Sequence, residues 1–416
     1  MRRLWLSLLV AFGSSAVAYA SGFQVTAQGA RAMGMGLAYT AVANDASAIF
    51  YNPAGLGTFD TDLVLGGMGA GNREGSFTAT GTSNAEEQDV SVNFLPQLYG
   101  ATKVGPLHLG VGVYTPFGLP MRWENPATFS GRRTSYLASI RTLTINPTAA
   151  VDIGSLSIGA GADWMHSRVQ LERFNAAPVA PGVSLDVARS KLVSDLQDSD
   201  GWGWNAGVLW RGKYVRLGAS YRSQIDIDHD ATLTLTQVPT GIPALDANVH
   251  ATLPSAPLDA AVPMTMPSSL NLGASFMLGR ATIALEADRT DWSQFDRIVV
   301  QTPVPAFGIS RVTGWEDTWA HRIGAELPCG PVICRAGYYR DETPQPLSDV
   351  GPVLPDADRQ AFTVGLGFGS PNFGVDIGYV YVRFDDRTTT AAGTDFLAGT
   401  WKSTGNELAV NLHWQH

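Results

Sequence analysis

The chain has 416 residues, of which 45% are hydrophobic and 16% charged, with 45 glycines and a net charge of -9. Charge lies below the ~25% typical of soluble domains, and an acidic balance without Lys/Arg runs excludes nucleic acid as a partner. After the N-terminus no apolar run reaches the ~18 residues of a transmembrane helix, so an exported chain has one membrane-spanning form left: a closed barrel.

Export is written into the first twenty residues. Arg2 and Arg3 precede an apolar stretch from Leu4 to Phe12, and Ala18-Tyr19-Ala20 is an A-x-A cleavage site. Residues 1–20 therefore read as a signal peptide, with Ser21 as the mature N-terminus. Residues 21–60 are rich in Ala, Gly and Met. Asp45 is placed to cap a helical turn over Ala46 to Tyr51. Pro53 ends that turn, and Gly55 and Gly57 follow. A segment this small builds no core of its own. It needs a lumen to pack in and reads as an N-terminal hatch.

Residues 61–416 read as the barrel. Segments of about ten residues or more, the length of a tilted membrane strand, fall near 61–70, 90–104, 107–117, 135–152, 156–174, 201–211, 214–228, 268–279, 281–292, 315–328, 333–341, 359–369, 373–384 and 404–416. Tight connections such as Gly154-Ser155 and Gly279-Arg280 alternate with long ones near 71–89, 118–134, 175–200, 229–267, 293–314, 342–358 and 385–403. Short turns at one end and long loops at the other characterise outer-membrane barrels. Fold class is thus all-β: a fourteen-stranded antiparallel transmembrane β-barrel with a hatch.

Within the segments, polarity alternates with period two, which sends one set toward lipid and the other toward the lumen. Arg216, Arg222, Glu286, Asp288, Arg322, Glu326 and Asp376 fall on the lumen side. Tyr114, Trp123, Trp164, Trp202, Trp204, Trp210, Tyr221, Trp292, Trp315, Trp319, Trp401 and Trp414 lie near segment ends, where interfacial girdles place such rings.

Cys329 and Cys334 flank a Gly330-Pro331 turn signal. In an oxidising compartment a disulfide across this turn and a pair of reduced thiols are both compatible with the sequence. Two thiols without a nearby His pair make no zinc site, and no metal or other cofactor is expected. No G-x-S-x-G, H-E-x-x-H or P-loop is present. His166 beside Ser167 is only half a dyad, since strand neighbours face opposite ways. No enzyme is expected.

Several motifs then carry a resemblance. Ser21-Gly22-Phe23-Gln24, Asp45 through Leu56 with Asn52-Pro53-Ala54, Val113-Tyr114-Thr115-Pro116-Phe117-Gly118-Leu119, Leu171-Glu172-Arg173-Phe174, Asp291-Trp292-Ser293-Gln294-Phe295, Trp315 through Trp319, and Thr343-Pro344-Gln345-Pro346 with Leu354 through Arg359 occur in order along the mature chain. Together they resemble the FadL/TodX family of outer-membrane transporters for long-chain fatty acids and, in some branches, aromatic hydrocarbons. The resemblance implies a fourteen-stranded barrel of a Gram-negative outer membrane. Its lumen is plugged by the hatch, and hydrophobic small molecules leave sideways at a kinked strand.

By the same resemblance Phe117-Gly118-Leu119-Pro120 is the kink; strand termination before a loop is the plainer reading. Arg173, and a second residue, Arg311, match head-group positions, and a guanidinium can hold a carboxylate bidentately. A lumen ion pair, with Glu172 or a distant acid, is the other reading of Arg173. Phe23 is expected to fill the cargo pocket when it is empty, or simply to pack the hatch. Asp341 matches an acid near the hatch N-terminus, where it would pin Ser21 and Gly22. His416 stands where such barrels commonly end in Phe, which leaves Trp414 for recognition by barrel-assembly machinery. The other expected partners are outer-membrane lipid and lipopolysaccharide. Nothing demands a trimer, and a monomer is expected. An aromatic-hydrocarbon channel of the same family is the alternative reading, and a general porin, separable by ion conductance, stands behind it.

Overall fold

Alternating apolar and polar residues, broken by Gly-containing turns, build a chain that closes on itself. The computed structural model describes residues 22–89, 93–195, 199–370, 372–390 and 397–416. The signal peptide, its cleavage site and Ser21 lie outside the described residues.

Fourteen antiparallel strands form the barrel: β1 (Thr61–Ala79), β2 (Asn93–Val104), β3 (Leu107–Tyr114 and Gly118–Arg122), β4 (Leu137–Ile153), β5 (Leu156–Ala180), β6 (Val183–Ser194 and Asp200–Arg211), β7 (Val215–Arg222 and Ile225–Gln237), β8 (Leu258–Met266 and Ser269–Leu278), β9 (Ala281–Thr290), β10 (Thr318–Cys329), β11 (Val332–Asp341), β12 (Arg359–Gly369), β13 (Phe373–Phe384) and β14 (Gly399–Gln415). β1 closes the ring against β14, from Asp62 opposite Gln415 to Ala79 opposite Gly399. Gly105, Gly154, Gly279 and Gly330 take positive φ at the tight turns of one end, where the missing Cβ removes the steric cost.

The strands run further than their apolar alternation suggests. The span 175–200, expected as a loop, is largely a hairpin in which β5 continues to Ala180 and pairs with Val183–Ser194. Likewise 229–267 holds the upper half of β7, the helix α3 (Pro243–Thr252) and the start of β8. Above the lipid band neither face needs to be apolar, so the alternation fades while the ladder continues.

Residues 22–60 lie inside the barrel, almost wholly buried, with two short helices, α1 (Ala30–Gly34) and α2 (Ala48–Tyr51), and a 3-10 turn at Pro53–Thr58. The expected helical turn forms, and Asp45 accepts from the Ser47 N–H at 2.9 Å just ahead of it. Cross-strand glycine pairs receive this segment: Gly159 opposite Gly207, Gly218 opposite Gly273, Gly324 opposite Gly337 and Gly365 opposite Gly378. A Cβ on Gly324 would stand 2.0 Å from the Met35 carbonyl oxygen, and one on Gly159 2.4 Å from Pro53. Wall and segment therefore meet backbone to backbone.

Polar bonds complete the seat. Arg31 donates to Glu326 at 2.9 and 2.8 Å, Gly36 N–H to Thr363 at 2.9 Å, and Thr40 N–H to Glu286 at 2.6 Å. Arg222 pairs with Asp163, which also accepts from the Tyr114 hydroxyl at 2.8 Å. Arg335 bridges Glu326 and Asp376 at 2.7 and 2.6 Å. Of the lumen-side charges read from the sequence, Arg222, Glu286, Asp288, Arg322 and Asp376 are buried, while Arg216 and Glu326 are half-buried.

The sequence left two readings of the cysteine pair open. Cys329 and Cys334 are free thiols. Cys334 stands opposite Leu327 and Cys329 opposite Val332, so the two are diagonal neighbours. Diagonal positions lie ~7–8 Å apart at the backbone, wider than the usual disulfide spacing, and the two thiol side chains meet across the turn unbonded.

Candidate functional site

Above the seated segment the wall turns apolar. A cavity there is lined by Leu119 on β3, Ile140 on β4, Val169 on β5, Leu192 on β6 and Val262 on β8. Its roof comes from two loops. The 291–317 loop folds Arg297–Val300 against Ile309–Val312 as a small hairpin and contributes Phe295, Ile298 and Trp315. The 342–358 loop contributes Gln345, Asp349 and Leu354. Small-molecule sites share this character, a mostly apolar lining with a few convergent polar groups.

The polar groups gather around Asp349. Its carboxylate pairs with Arg311, accepts from the Trp315 indole N–H at 2.8 Å and from the Gln345 amide at 3.2 Å. Burial pushes the Asp349 carboxyl above its ordinary value, against the opposing pull of Arg311, Trp315 and Gln345.

At the cavity floor sits Phe23, 1% exposed. Its ring meets Trp292 at 5.0 Å and Phe295 at 5.2 Å edge-on, and Phe117 and Trp315 at 5.9 and 6.0 Å. Gly22 before it adopts φ +62, and a Cβ there would strike Trp292 at 2.7 Å. The Gly22 N–H donates to Asp356 at 3.1 Å.

The same short stretch is tied to the interruption in β3. Val25 N–H donates to the Pro116 carbonyl at 2.7 Å, Gly118 N–H to the Phe23 carbonyl at 2.8 Å, and Gln24 bridges Phe117. Phe117 N–H is taken up by the Thr142 hydroxyl at 3.1 Å. Among the described residues the β2–β3 ladder runs from Leu98 opposite Val113 to Val104 opposite Leu107. Gly118–Arg122 has β4 as its ladder partner among the described residues. Among the described residues no ladder joins β2 to Phe117-Gly118-Leu119-Pro120, residues 90–92 lying outside them, and the N-terminal segment lends this stretch hydrogen bonds.

The remaining sequence-derived residues fall as follows. Arg311 lines the main cavity. Arg173 lines a smaller one, which shares Leu171, Leu192 and Val300 with the first. Glu172 faces the other way, toward Tyr136, which donates to it at 2.7 Å. Asp341 stands 3.5 Å from Arg322 and 3.6 Å from Arg359, on a polar cavity beneath. Asn52, Pro53 and Ala54 sit at the wall: the Asn52 amide donates to the Thr40 and Val208 carbonyls at 2.9 and 3.1 Å, and its side-chain oxygen accepts from Ala54 N–H at 3.1 Å.

The aromatic assignment is corrected in part. Trp202, Trp204, Trp210, Tyr221, Trp319 and Trp414 face outward, but Tyr114, Trp123, Trp292, Trp315 and Trp401 are buried inside. Trp292 and Trp315 belong to the Phe23 cluster, Asp349 joins the site unannounced, and Asp356, inside the Leu354 through Arg359 motif, takes the Gly22 N–H that was expected of Asp341. The Asp291 through Phe295 and Trp315 through Trp319 motifs were the available signal.

The sequence matches, over residues 10–414, the family described as outer membrane protein transport protein (OMPP1/FadL/TodX). It is 23% identical to the long-chain fatty acid transport protein of Salmonella typhi, covering 89% of each chain. It is 25% identical to outer membrane protein P1 of Haemophilus influenzae, covering 90% of this chain and 88% of that one. A Pseudomonas aeruginosa FadL homologue superposes with TM-score 0.83 at 17% identity, over 95% of this chain and 100% of the other. The Pseudomonas putida toluene transporter TodX superposes with TM-score 0.68 at 16% identity, over 89% and 94%.

Proposed function

We propose, for a chain that belongs to the outer membrane transport proteins of the OMPP1/FadL/TodX family, passive uptake of long-chain fatty acids or related hydrophobic molecules through the Phe23 cavity. The protein is an outer-membrane transporter of hydrophobic compounds and not an enzyme. The observation that carries the finer reading is the double engagement of one short stretch. The Phe23 ring floors an apolar cavity, while its backbone holds the unpaired part of β3.

Cargo entering from the loop end gains about 0.8 kcal/mol per buried CH₂. It takes the place of the Phe23 ring. Moving the ring breaks the hydrogen bonds of residues 23–25 to 116–118, and the unpaired stretch between β2 and β3 becomes a sideways exit into lipid. Residues 22–60 act as the hatch, and no energy source is required beyond the cargo gradient.

A second reading, an aromatic-hydrocarbon channel, is favoured by one feature. Arg311 already pairs with Asp349, so the polar end of the cavity is charge-balanced without a cargo carboxylate.

Cells lacking their own hydrophobe channel, expressing this protein and offered labelled oleate and toluene in parallel, separate the readings. Oleate-selective uptake supports the fatty-acid transporter, and toluene-selective uptake the second reading. Uptake of neither, with clear ion conductance, makes it a porin. Arg173→Ala is expected to weaken carboxylate cargo more than hydrocarbon; equal loss removes its anchor role.

A further inference from the structure

Outward-facing residues of β4 and β5 pair in rows: Ile145 with Trp164, Leu143 with His166, then Arg141 with Arg168. The alternate residues Ile140, Thr142, Met165, Ser167 and Val169 are buried inside, which fixes the direction of the others. Two guanidinium groups therefore stand directly opposite each other on the lipid side of the wall. Like charges in this arrangement repel, and neither has an ion-pair partner among the described residues. The neighbouring acids among the described residues are engaged elsewhere: Asp200 with His166 at 2.7 Å, Asp89 with Arg122 at 3.3 Å, and Glu172 with Arg189 and Lys191 at 3.7 and 3.9 Å.

Height identifies the missing counter-ion. Both arginines stand about a dozen residues from the tight turn joining β4 to β5, roughly 30 Å up for a rise near 3.3 Å and a tilt near 40°. The apolar band of such barrels is ~25 Å tall. Outward Trp164, one row below His166, suits the upper interface. The pair thus lies at the headgroup level of the outer leaflet, at the loop end.

We propose that Arg141 and Arg168 bind a phosphate group of outer-leaflet lipopolysaccharide. Phosphate accepts two parallel N–H bonds from a guanidinium fork, so one phosphate between the two forks cancels the repulsion and holds the glycolipid against β4 and β5. The site is on the outer wall, separate from the cargo cavity, and does not depend on which cargo is carried.

The test uses the full chain purified from outer membranes in detergent. Binding is measured by titration with phosphorylated lipopolysaccharide, with the same glycolipid after phosphatase treatment, and with inorganic phosphate. The phosphorylated form is expected to bind about tenfold tighter than the dephosphorylated form. Arg141→Gln with Arg168→Gln should erase that difference, and Arg141→Lys with Arg168→Lys should keep most of it. Equal binding of both glycolipids, or a double Gln variant that binds like the parent, overturns the proposal. So does displacement of the glycolipid by millimolar inorganic phosphate, which would mark a simple anion site. If the Gln variant fails to show the heat-modifiable migration of a folded barrel, the two glycolipids on the unaltered chain decide alone.

Discussion

Where the N-terminal segment sits, the wall offers Arg222 with Asp163, Arg335 with Glu326 and Asp376, and Arg322 with Asp288. Higher on the same barrel it offers Ile140, Val169, Leu192 and Val262. The lower level is directional. Each buried charge needs a partner at a set distance, so the segment has one registration. The upper level is non-directional, since apolar contact rewards area rather than angle. A transporter needs both: a stopper held in one place and a pocket tolerant of cargo shape. Phe23 lies at the border, with its ring in the upper level and its backbone tied to the strand break.

The comparison breaks most visibly if the lower level is not what fixes the segment. Arg222→Ala leaves Asp163 buried without its cation, and losing one partner of a buried pair costs about 3–5 kcal/mol. The urea midpoint of the folded barrel should fall accordingly, and ion conductance should rise as the segment loosens. A loss below about 1 kcal/mol would place the fixing elsewhere. Next comes the backbone contact. Gly337→Ala sets a Cβ 2.3 Å from the Gly36 nitrogen, and overpacking of this kind costs about 1–3 kcal/mol. Gly69→Ala is its control, with only the Leu408 carbonyl oxygen near, at 3.7 Å. A matched loss in both variants would show that glycine serves the strand and not the seat.

The upper level gives smaller effects. Phe23→Ala removes the ring that cargo must displace, whose four aromatic neighbours contribute about 0.5–1.5 kcal/mol each. A fluorescent apolar probe should bind about tenfold tighter; weaker binding would make Phe23 part of the cargo surface. Asp349 supplies the pH dependence. Its pKa is raised by burial, so the folded chain holds that proton more tightly than the unfolded chain does. The associated stability is full at acidic pH and is lost as pH rises through the raised value. Protonation also weakens its hold on Arg311, so a cargo carboxylate competes better. Oleate affinity should therefore fall a few-fold on raising the pH, and toluene affinity should not. Asp349→Asn should flatten the oleate profile; an unchanged slope would assign it to the cargo's own titration.

Much of the barrel was legible because alternation is local. Val215 through Arg222 and Val375 through Tyr381 announce both faces in a few residues, and Arg222, Glu286 and Asp376 were placed inside on parity alone. Parity also puts Tyr114 inside, on the face opposite exposed Val111, although an aromatic near a strand end suggested the interface. Trp292 and Trp315 had no such rule. They lie in a loop that folds back into the lumen, and a fold-back is a long-range event with no period to read. The same holds for Asp349, whose partner Arg311 is 38 residues away in another loop.

The smallest effect concerns the turn end. A disulfide between Cys329 and Cys334 agreed with the exported compartment and the intervening turn, but the hairpin register sets the thiols diagonally. Setting Cys329 directly opposite Cys334 would require a two-residue slip of the strands, which keeps their faces but moves every side chain along the wall. Here it would carry the inward charge of Arg335 away from Glu326 at 2.7 Å and Asp376 at 2.6 Å. That cost exceeds what a bridge across so short a loop returns. Cys329→Ser with Cys334→Ser should then change stability by no more than about 0.5 kcal/mol. Both thiols should react with maleimide in the native barrel, exposed Cys329 faster than half-buried Cys334. Labelling that appears only after reduction would mean that the ladder yields to the bond.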